Sequence, residues 1–282
     1  MTGVQTCALP ISYVADVVPD QFRGEAMGIL GICFSIGASS SPLLGSWLTN
    51  SWNINVMFYA SAALALLSMV ILLNMKETLQ VRQRFHWRLL KVGRQDIFDP
   101  LAMPSAITMI FCYLSYGVIL TLIPDLSDKL GVGNRGICFT IFTLASVATR
   151  FFAGRVSDQL GRIPVLKASA LMIAAAMTAF ALANSADTLF FAAALFGLGN
   201  GIFSPAINAW AVDLGDPKKK GRALATMFMA LEIAIGGGAL ISGWYFANDF
   251  GRMPAVFGFA ALMSLGGWVY LTFLTKSMKK RV

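Results

Sequence analysis

One acidic residue lies in the middle of a strongly apolar stretch of this 282-residue chain. Glu232 stands between Leu231 and Ile233, with three glycines at 236–238 about one turn later. A charged group at the centre of a membrane costs about 2.5–3.5 kcal/mol on insertion scales, so such a residue usually has a function. Burial favours the neutral carboxyl, which suits reversible proton binding or pairing with a cationic ligand. A structural carboxyl that hydrogen-bonds to a neighbouring helix is the alternative.

Polar side chains recur every fourth residue in a second apolar stretch. Asn200, Ser204 and Asn208 have this spacing, and Pro205 follows Ser204. In a helix, the spacing places three hydrogen-bonding groups on one face, as the wall of a ligand cavity requires. Hydrogen bonds between neighbouring helices explain the pattern equally well.

The chain has few residues that could support enzymatic chemistry. Its only histidine, His86, lies in a basic segment, and the sequence contains no Ser/His/Asp set, no paired metal-ligand spacing and no H-E-x-x-H motif. The glycines of 197–201 lack the lysine and hydroxyl residue of a nucleotide-binding loop. We therefore predict no enzyme activity, no metal, no cofactor and no direct use of ATP.

The composition indicates an integral membrane protein. Hydrophobic residues make up 57% of the chain and charged residues 13%, whereas soluble proteins have roughly 45–50% and about 25%. The net charge of +8 comes mainly from Lys and Arg between the apolar stretches, a position that indicates membrane orientation and not nucleic-acid binding. The lipid bilayer is therefore the predicted partner.

Eight stretches are long and apolar enough to cross a bilayer, which requires about 20 residues. Helices are predicted, because open strand edges cannot be satisfied in lipid and the stretches are about twice as long as barrel strands. The predicted fold class is an all-α, polytopic membrane helix bundle. Its spans cover 25–49, 54–75, 101–124, 136–156, 163–184, 188–213, 221–246 and 253–275, after the end of an earlier helix at 12–18.

Basic residues are distributed unevenly between the two sides of this bundle. Eighteen Lys and Arg residues fall on one side and only Lys129, Arg135 and Arg252 on the other. The basic side, which includes segment 76–100 and tail 276–282, is predicted to be cytoplasmic. The segment is either an amphipathic helix on the inner leaflet or a solvated linker. We expect a plasma (inner) membrane protein with a cytoplasmic C-terminus.

Part of the sequence recurs at a constant offset of 197 residues. A parallel repeat of membrane helices is typical of transporters. If both halves have equal length, about 110 residues, or the first three to four helices, precede Ser12 in the complete protein. The matched positions are Asp16, Arg23, Gly24, Ala26 and Trp47 in the first copy, and Asp213, Lys220, Gly221, Ala223 and Trp244 in the second.

Residues 1–11 resemble the translation of a common sequencing adapter, and we exclude them from the fold prediction. On this interpretation the native sequence begins near Ser12. A genuine short N-terminal tail is the alternative.

The loop between the fourth and fifth predicted spans carries a motif. Gly154, Asp158, Gly161 and Arg162 match the signature G-x-x-x-D-R-x-G-R, with Gln159 in place of its first arginine. With the repeat and the long central linker, this loop resembles the major facilitator superfamily. The resemblance implies a gate, in which the glycines allow close helix contact and a turn, and Asp158 accepts hydrogen bonds from a helix N-terminus or a basic residue. An ordinary helix-turn-helix loop is the alternative.

Four more residues are expected to belong to this gate. Arg150 lies one turn before the motif and is expected to reach the membrane interface or to pair with Asp158 or Asp213, with substrate contact as the alternative. Asp213 and Asp16 hold equivalent repeat positions, and together with Arg23 they are expected to cap or latch helix ends.

A second motif favours export. Gly37, Pro42 and Gly45 are similar to the antiporter signature G-x-x-x-G-P-x-x-G-G of the same family, although Ser41 and Ser46 replace two of its glycines. Exporters tend to carry this signature. Generic close packing of helices through small residues is the alternative.

The resemblance implies a fold that here lacks its first three to four helices. Residues 12–75 correspond to the end of the N-terminal helix bundle, from the tail of its fourth helix through its fifth and sixth helices. Residues 76–100 are the cytoplasmic linker, 101–275 the C-terminal six-helix bundle and 276–282 a basic cytoplasmic tail.

The resemblance also implies a function, secondary active transport of a small molecule by alternating access. We predict a monomeric, proton-coupled exporter, with Glu232 as the coupling residue. An importer of sugars or organic acids, or a fragment that does not transport, are the alternatives. Because the corresponding helices of the family line its central cavity, the substrate-binding candidates are Asn200, Ser204, Asn208, Tyr113 and Tyr116.

Overall fold

The computed structural model describes residues 23–72, 98–215 and 220–279, and these are almost entirely helical. No β-strand occurs in these ranges, so the all-α prediction is confirmed. Each of the long helices overlaps one predicted span. They are α1 Arg23–Ser51, α2 Ile54–Leu72, α3 Met103–Lys129, α4 Ile137–Leu160, α5 Arg162–Ala181, α6 Ala186–Leu214, α7 Lys220–Phe246 and α8 Met253–Lys279.

Six of these helices, α2, α3, α5, α6, α7 and α8, are long and apolar enough to cross a membrane. In α4 the apolar segment Ile137–Arg150 is shorter, and the remainder of that helix carries Arg155 and Asp158. The protein is therefore a polytopic membrane helix bundle. The last helix continues to Lys279, into the predicted tail 276–282.

The chain divides into two compact units, Met1–Lys91 and Val92–Val282. Among the described residues, the first unit contains α1 and α2, which pack against each other. The second unit contains α3 to α8. The division falls within the predicted linker, of which residues 76–97 lie outside the described part of the chain, as does the predicted helix end at 12–18.

Few residues separate the successive helices of the second unit, so these helices alternate in direction. We use the term basic side for the side on which α3, α5 and α7 begin and α4, α6 and α8 end, because most Lys and Arg residues lie there. The helix α3 packs mainly against α7 and α8, whereas α6 packs between α4 and α5, and α5 also contacts α8. Apolar side chains from all six helices form the core.

Glycines allow α6 to approach both of its main neighbours closely. A Cβ at Gly197 or Gly201 would overlap a backbone carbonyl oxygen of α4. A Cβ at Gly199, on the opposite face, would lie 3.1 Å from the Cβ of Met172 in α5. Close approach of this kind strengthens helix association in lipid, where van der Waals packing replaces the hydrophobic effect. The glycine run therefore serves helix packing.

The helices α3 and α7 also meet at glycines. A Cβ at Gly117 in α3 would overlap the carbonyl oxygen of Ile235, and a Cβ at Gly238 in α7 would overlap the carbonyl oxygen of Leu114. These reciprocal contacts fix α7 against the part of α3 that carries the predicted substrate-binding tyrosines.

Side chains and one glycine fix several helix ends. Asp99 caps the 3₁₀ turn Pro100–Ala102 that leads into α3, and Ser185 forms a capping box with Thr188 at the start of α6. Gly161 alone separates α4 from α5, and its φ of +86° is unfavourable for a residue with a Cβ. The sharp change of direction on the basic side therefore requires glycine.

Candidate functional site

Arg162 connects three helices on the basic side of the second unit. Its Nε donates a hydrogen bond to Asp213 Oδ2 (3.0 Å) at the end of α6, and its Nη1 donates to Asp158 Oδ1 (2.5 Å) in α4. The same Nη1 also donates to Ser157 Oγ (3.0 Å). Because Arg162 is the first residue of α5, one side chain ties the ends of α4, α5 and α6 together.

This ion-pair network contains most of the predicted gate motif. Gly161 forms the turn, and Asp158 and Arg162 bind each other directly. Gly154 lies within α4, but the burial and neighbours of this residue are not among the described features. The sequence alone did not indicate that one arginine would bind both carboxylates, or that Ser157 would join them, although their position within the motif was an available signal.

The remaining predicted gate residues have different environments. Asp213 lies in the last turn of α6 and forms an ion pair with Arg162, a position suited to the predicted latch. Arg23 is the first residue of α1, and its side chain and Asp16 lie outside the described residues. The charge of Arg150 acts on two tyrosines described below.

A second polar cluster on the basic side joins the start of α3 to the start of α7. The Asp99 N–H donates to Thr226 Oγ1 (2.8 Å), and the Thr226 hydroxyl donates to the carbonyl oxygen of Arg222 (3.0 Å). Asp99 is fully buried, and its Oδ2 lies 3.8 Å from Arg222 Nη2. The sequence alone placed Asp99 in the linker, because its burial depends on a helix 127 positions away.

Tyr113 and Tyr116 belong to an aromatic cluster where α3, α4 and α6 meet. The Tyr113 ring centroid lies 5.8 Å from that of Tyr116 and 5.7 Å from that of Phe203. The Tyr116 ring lies 5.8 Å from Phe142 and 6.3 Å from Phe196. These separations are typical of interacting aromatic pairs. The aromatic cluster, defined by these five residues, therefore connects three helices.

Polar groups border the aromatic cluster. The Ser204 side chain lies near the Tyr113 hydroxyl, and the positive charge of Arg150 acts on the hydroxyl groups of Tyr113 and Tyr116. Arg150 is exposed, whereas Tyr113 is buried. The structure thus brings predicted ligand residues from α3 and α6 together, and it adds Arg150 from α4 to them.

The polar face of α6 extends one turn beyond Ser204 in each direction. Asn200 is buried, and Asn208 is half-buried. Pro205 lies inside the helix and has no backbone N–H, so the helix lacks one internal hydrogen bond beside Ser204. The predicted arrangement of three polar residues on one face is present, and Ser204 makes the contact with α3.

Glu232 lies in the middle of α7, about 18 Å along the axis from the start of that helix at Lys220. The buried residues Ala230, Ala234 and Gly238 form the packed face of α7, and Glu232 lies on the opposite face. Its side chain is half-buried, and within the described ranges it has no hydrogen bond or ion pair.

The antiporter-like motif lies on α1 in the first unit. Pro42 is inside the helix. A Cβ at Gly45 would lie 3.6 Å from the Sδ of Met57 in α2, whereas Gly37 has no neighbour within 4 Å. Gly45 therefore belongs to the contact between α1 and α2, and Gly37 lies on an exposed surface.

Groups that could hold a metal ion are absent from the described part of the chain, where no three His, Cys, Asp or Glu side chains come together. Cys112 and Cys138 are buried, unpaired thiols, and Cys33 is exposed. The chemistry available near the aromatic cluster is therefore hydrogen bonding, aromatic stacking and the charge of Arg150.

These observations define an all-α, polytopic membrane protein with polar residues deep inside its helices. A sequence profile of the Major Facilitator Superfamily matches residues 6–103 and 105–282. The chain belongs to the major facilitator superfamily.

Similar proteins support this assignment. The multidrug resistance protein MdtH of Yersinia pestis (strain Pestoides F) is 29% identical over 174 residues, which cover 61% of this chain and 41% of that protein. MdtH of Yersinia pseudotuberculosis serotype O:1b (strain IP 31758) matches equally well. The chain therefore spans less than half the length of these relatives.

A solved structure shows the same fold. It is a bacterial homologue of the human lysosomal transporter Spinster, in an inward-facing and unoccupied conformation. The match has a TM-score of 0.58 at 13% identity, and it covers 94% of this chain and 71% of the other.

Proposed function

We propose that this protein is a secondary active transporter that moves a small molecule across the plasma (inner) membrane by alternating access, as a monomer and without a cofactor. The observation that carries the proposal is the aromatic cluster with its polar border. Tyr113, Ser204 and Arg150 each lie about 15 Å from the basic end of their helix, near the midplane of a bilayer about 30 Å thick. Transporters of this fold bind substrate at that depth.

The basic side is proposed to face the cytoplasm, with the C-terminus on that side, because Lys and Arg are retained there during insertion. The Arg162 network then lies at the cytoplasmic end of α4, α5 and α6. Partly exposed ion pairs contribute only about 0.2–1 kcal/mol each. A network of this strength can hold one state of the gate and still break within a transport cycle.

Glu232 is the proposed proton-coupling residue. Its half-buried side chain lies at membrane depth, opposite the buried face of α7, and it has no polar partner among the described residues. Alternating access would expose it to each side of the membrane in turn.

Export is the proposed direction. The relatives from Yersinia are named multidrug resistance proteins, and Pro42 with its neighbouring small residues resembles an antiporter signature. Both observations favour an outward-directed carrier that exchanges protons for a small molecule.

Inside-out vesicles from bacteria that lack their own multidrug pumps provide the test. A pH-sensitive acridine dye reports the proton gradient, and the probes are a panel of toxic amphiphiles of both charge signs, with ethidium among the cations. We expect at least one probe to cause proton release from vesicles that contain this protein. Glu232→Gln should abolish the response, whereas the matched control Asp187→Asn, an exposed carboxylate at the start of α6, should retain it.

Two results would contradict parts of the proposal. An undiminished response in Glu232→Gln would exclude this residue as the coupling group. If no probe moves and no gradient responds in the unmodified protein, the chain does not transport as an exporter. Gradient-driven uptake of a nutrient into right-side-out vesicles would identify an importer.

A further inference from the structure

Arg150, Tyr113 and Ser204 come from three different helices and lie at one depth. Each is ten residues from the basic end of its helix, at Leu160 in α4, Met103 in α3 and Leu214 in α6 respectively. The close contact of α6 with α4 and the ring contacts between α3 and α4 hold these helices in register.

An arginine at this depth cannot face lipid without a substantial cost. That cost is about 2.5–3.5 kcal/mol on insertion scales, and such residues normally face a bundle interior or a water-filled cavity. Arg150 is exposed on the surface of the second unit, and it belongs to the same face of α4 as Phe142, two turns away. A water-filled cavity along this face of α4 would remove that cost.

We propose that the polar border formed by Arg150, Tyr113, Tyr116 and Ser204 is a recognition site for a monoanionic aromatic compound, with a carboxylate as its charged group. The inference rests on the proposed transport function and adds the charge of the substrate to it. The guanidinium offers a planar pair of donors that matches a carboxylate. The hydroxyl groups supply further donors, and the tyrosine and phenylalanine rings supply an apolar wall for stacking.

The charge of the site selects against cations. A cationic ligand beside the aromatic cluster would experience repulsion from the positive charge of Arg150, which acts on Tyr113 and Tyr116. Glu232 lies on α7, which meets α3 through Gly117, on a different part of the unit. Arg150 therefore acts as a specificity-determining residue, a role beyond the gate contact that its sequence position indicates.

Binding to the purified full chain in detergent micelles tests the proposal with a matched pair of probes. The probes are tritiated 1-naphthylacetate and 1-naphthylacetamide, which differ only in carboxylate or neutral amide. We expect the protein to bind the carboxylate at least tenfold more tightly, because a hydrogen bond to a charged group changes affinity by roughly tenfold to a hundredfold. Equal affinities in the unmodified protein would refute the proposal without any variant.

Variants of Arg150 then identify the residue responsible. In R150Q the preference for the carboxylate should disappear, with amide affinity unchanged within about twofold, and R150K should retain part of the preference because it keeps the charge. The control R135Q removes an exposed arginine that pairs with Asp128 in a turn on the opposite side, and should keep the full preference. An equal fold loss of affinity for both probes in R150Q, so that the preference for the carboxylate persists, would show a structural role and overturn the assignment.

The binding result is independent of the transport result. If the protein prefers the carboxylate but moves no probe across vesicle membranes, the anion site is supported and the proposed transport function is refuted. If the protein transports but binds both probes equally, the proposed transport function is supported and the anion site is refuted.

Discussion

The contact between α3 and α7 allows a quantitative test within a single helix. In Gly238→Ala, the new Cβ would overlap the carbonyl oxygen of Leu114 and lie 3.3 Å from the Cα of Gly117. Backbone atoms cannot rotate away as side chains do, so the two helices must separate by about 1 Å. Overpacking of this kind costs about 1–3 kcal/mol. In Gly243→Ala, also on α7, the Cβ has no neighbour within 4 Å, and the better helix propensity of alanine contributes up to about 1 kcal/mol.

The gain in helix propensity is common to both variants, so they should differ by the overpacking cost, about 1–3 kcal/mol in free energy of unfolding. At roughly 2–4 °C per kcal/mol for a unit of this size, the expected gap in transition temperature is about 2–12 °C. A fluorogenic maleimide can follow thermal unfolding in detergent once Cys7 and Cys33 are replaced by Ser, because the two remaining thiols, Cys112 and Cys138, are buried and react only when the bundle opens. Equal transition temperatures for the two variants would show that α3 and α7 do not meet at this glycine.

Three further predictions concern the basic side. Arg162→Ala should lower the free energy of unfolding by only about 1 kcal/mol, because its ion pairs are partly exposed. The same variant should slow single-turnover probe efflux from proteoliposomes, and an unchanged rate would contradict a gating role. Asp99→Ala should lower the transition temperature more than Arg162→Ala, because it leaves Arg222 without a buried carboxylate; a smaller loss would show that this pair contributes little. Green fluorescent protein fused after Val282 should fluoresce in bacterial cells, and alkaline phosphatase at the same place should be inactive; the reverse pattern would place the basic side outside.

Much of the helical architecture could be predicted from the sequence, because the hydropathy of a 20-residue stretch depends on local composition alone. The eight predicted spans each correspond to one helix, and Gly161 was identified as a turn residue because its neighbours form a motif. Depth also follows from sequence, since each residue adds about 1.5 Å along a helix. Ser204 and Tyr113 could therefore be placed at similar levels before their contact was known.

The partners of polar residues could not be predicted, because they depend on helix rotation and neighbour order. Arg150 lies only one turn from the gate motif, but the direction of its side chain brings its charge to Tyr113 and Tyr116. The sequence placed Asp99 in the linker, whereas in the structure it is buried against α7. In both cases the deciding contact joins residues far apart in sequence, so no local pattern could encode it.

The glycines of α6 have a mechanical consequence. At most helix contacts, side chains can absorb a small displacement, because their rotamers adjust when one helix shifts. At Gly197 and Gly201 the backbone of α6 rests directly on the backbone of α4, and at Gly199 it rests on the first side-chain atoms of α5. Contacts this short leave almost no compressible space. A ligand that displaces α6 at Ser204 would therefore move α4 and α5 with it, and the three helices would respond to binding as one rigid body.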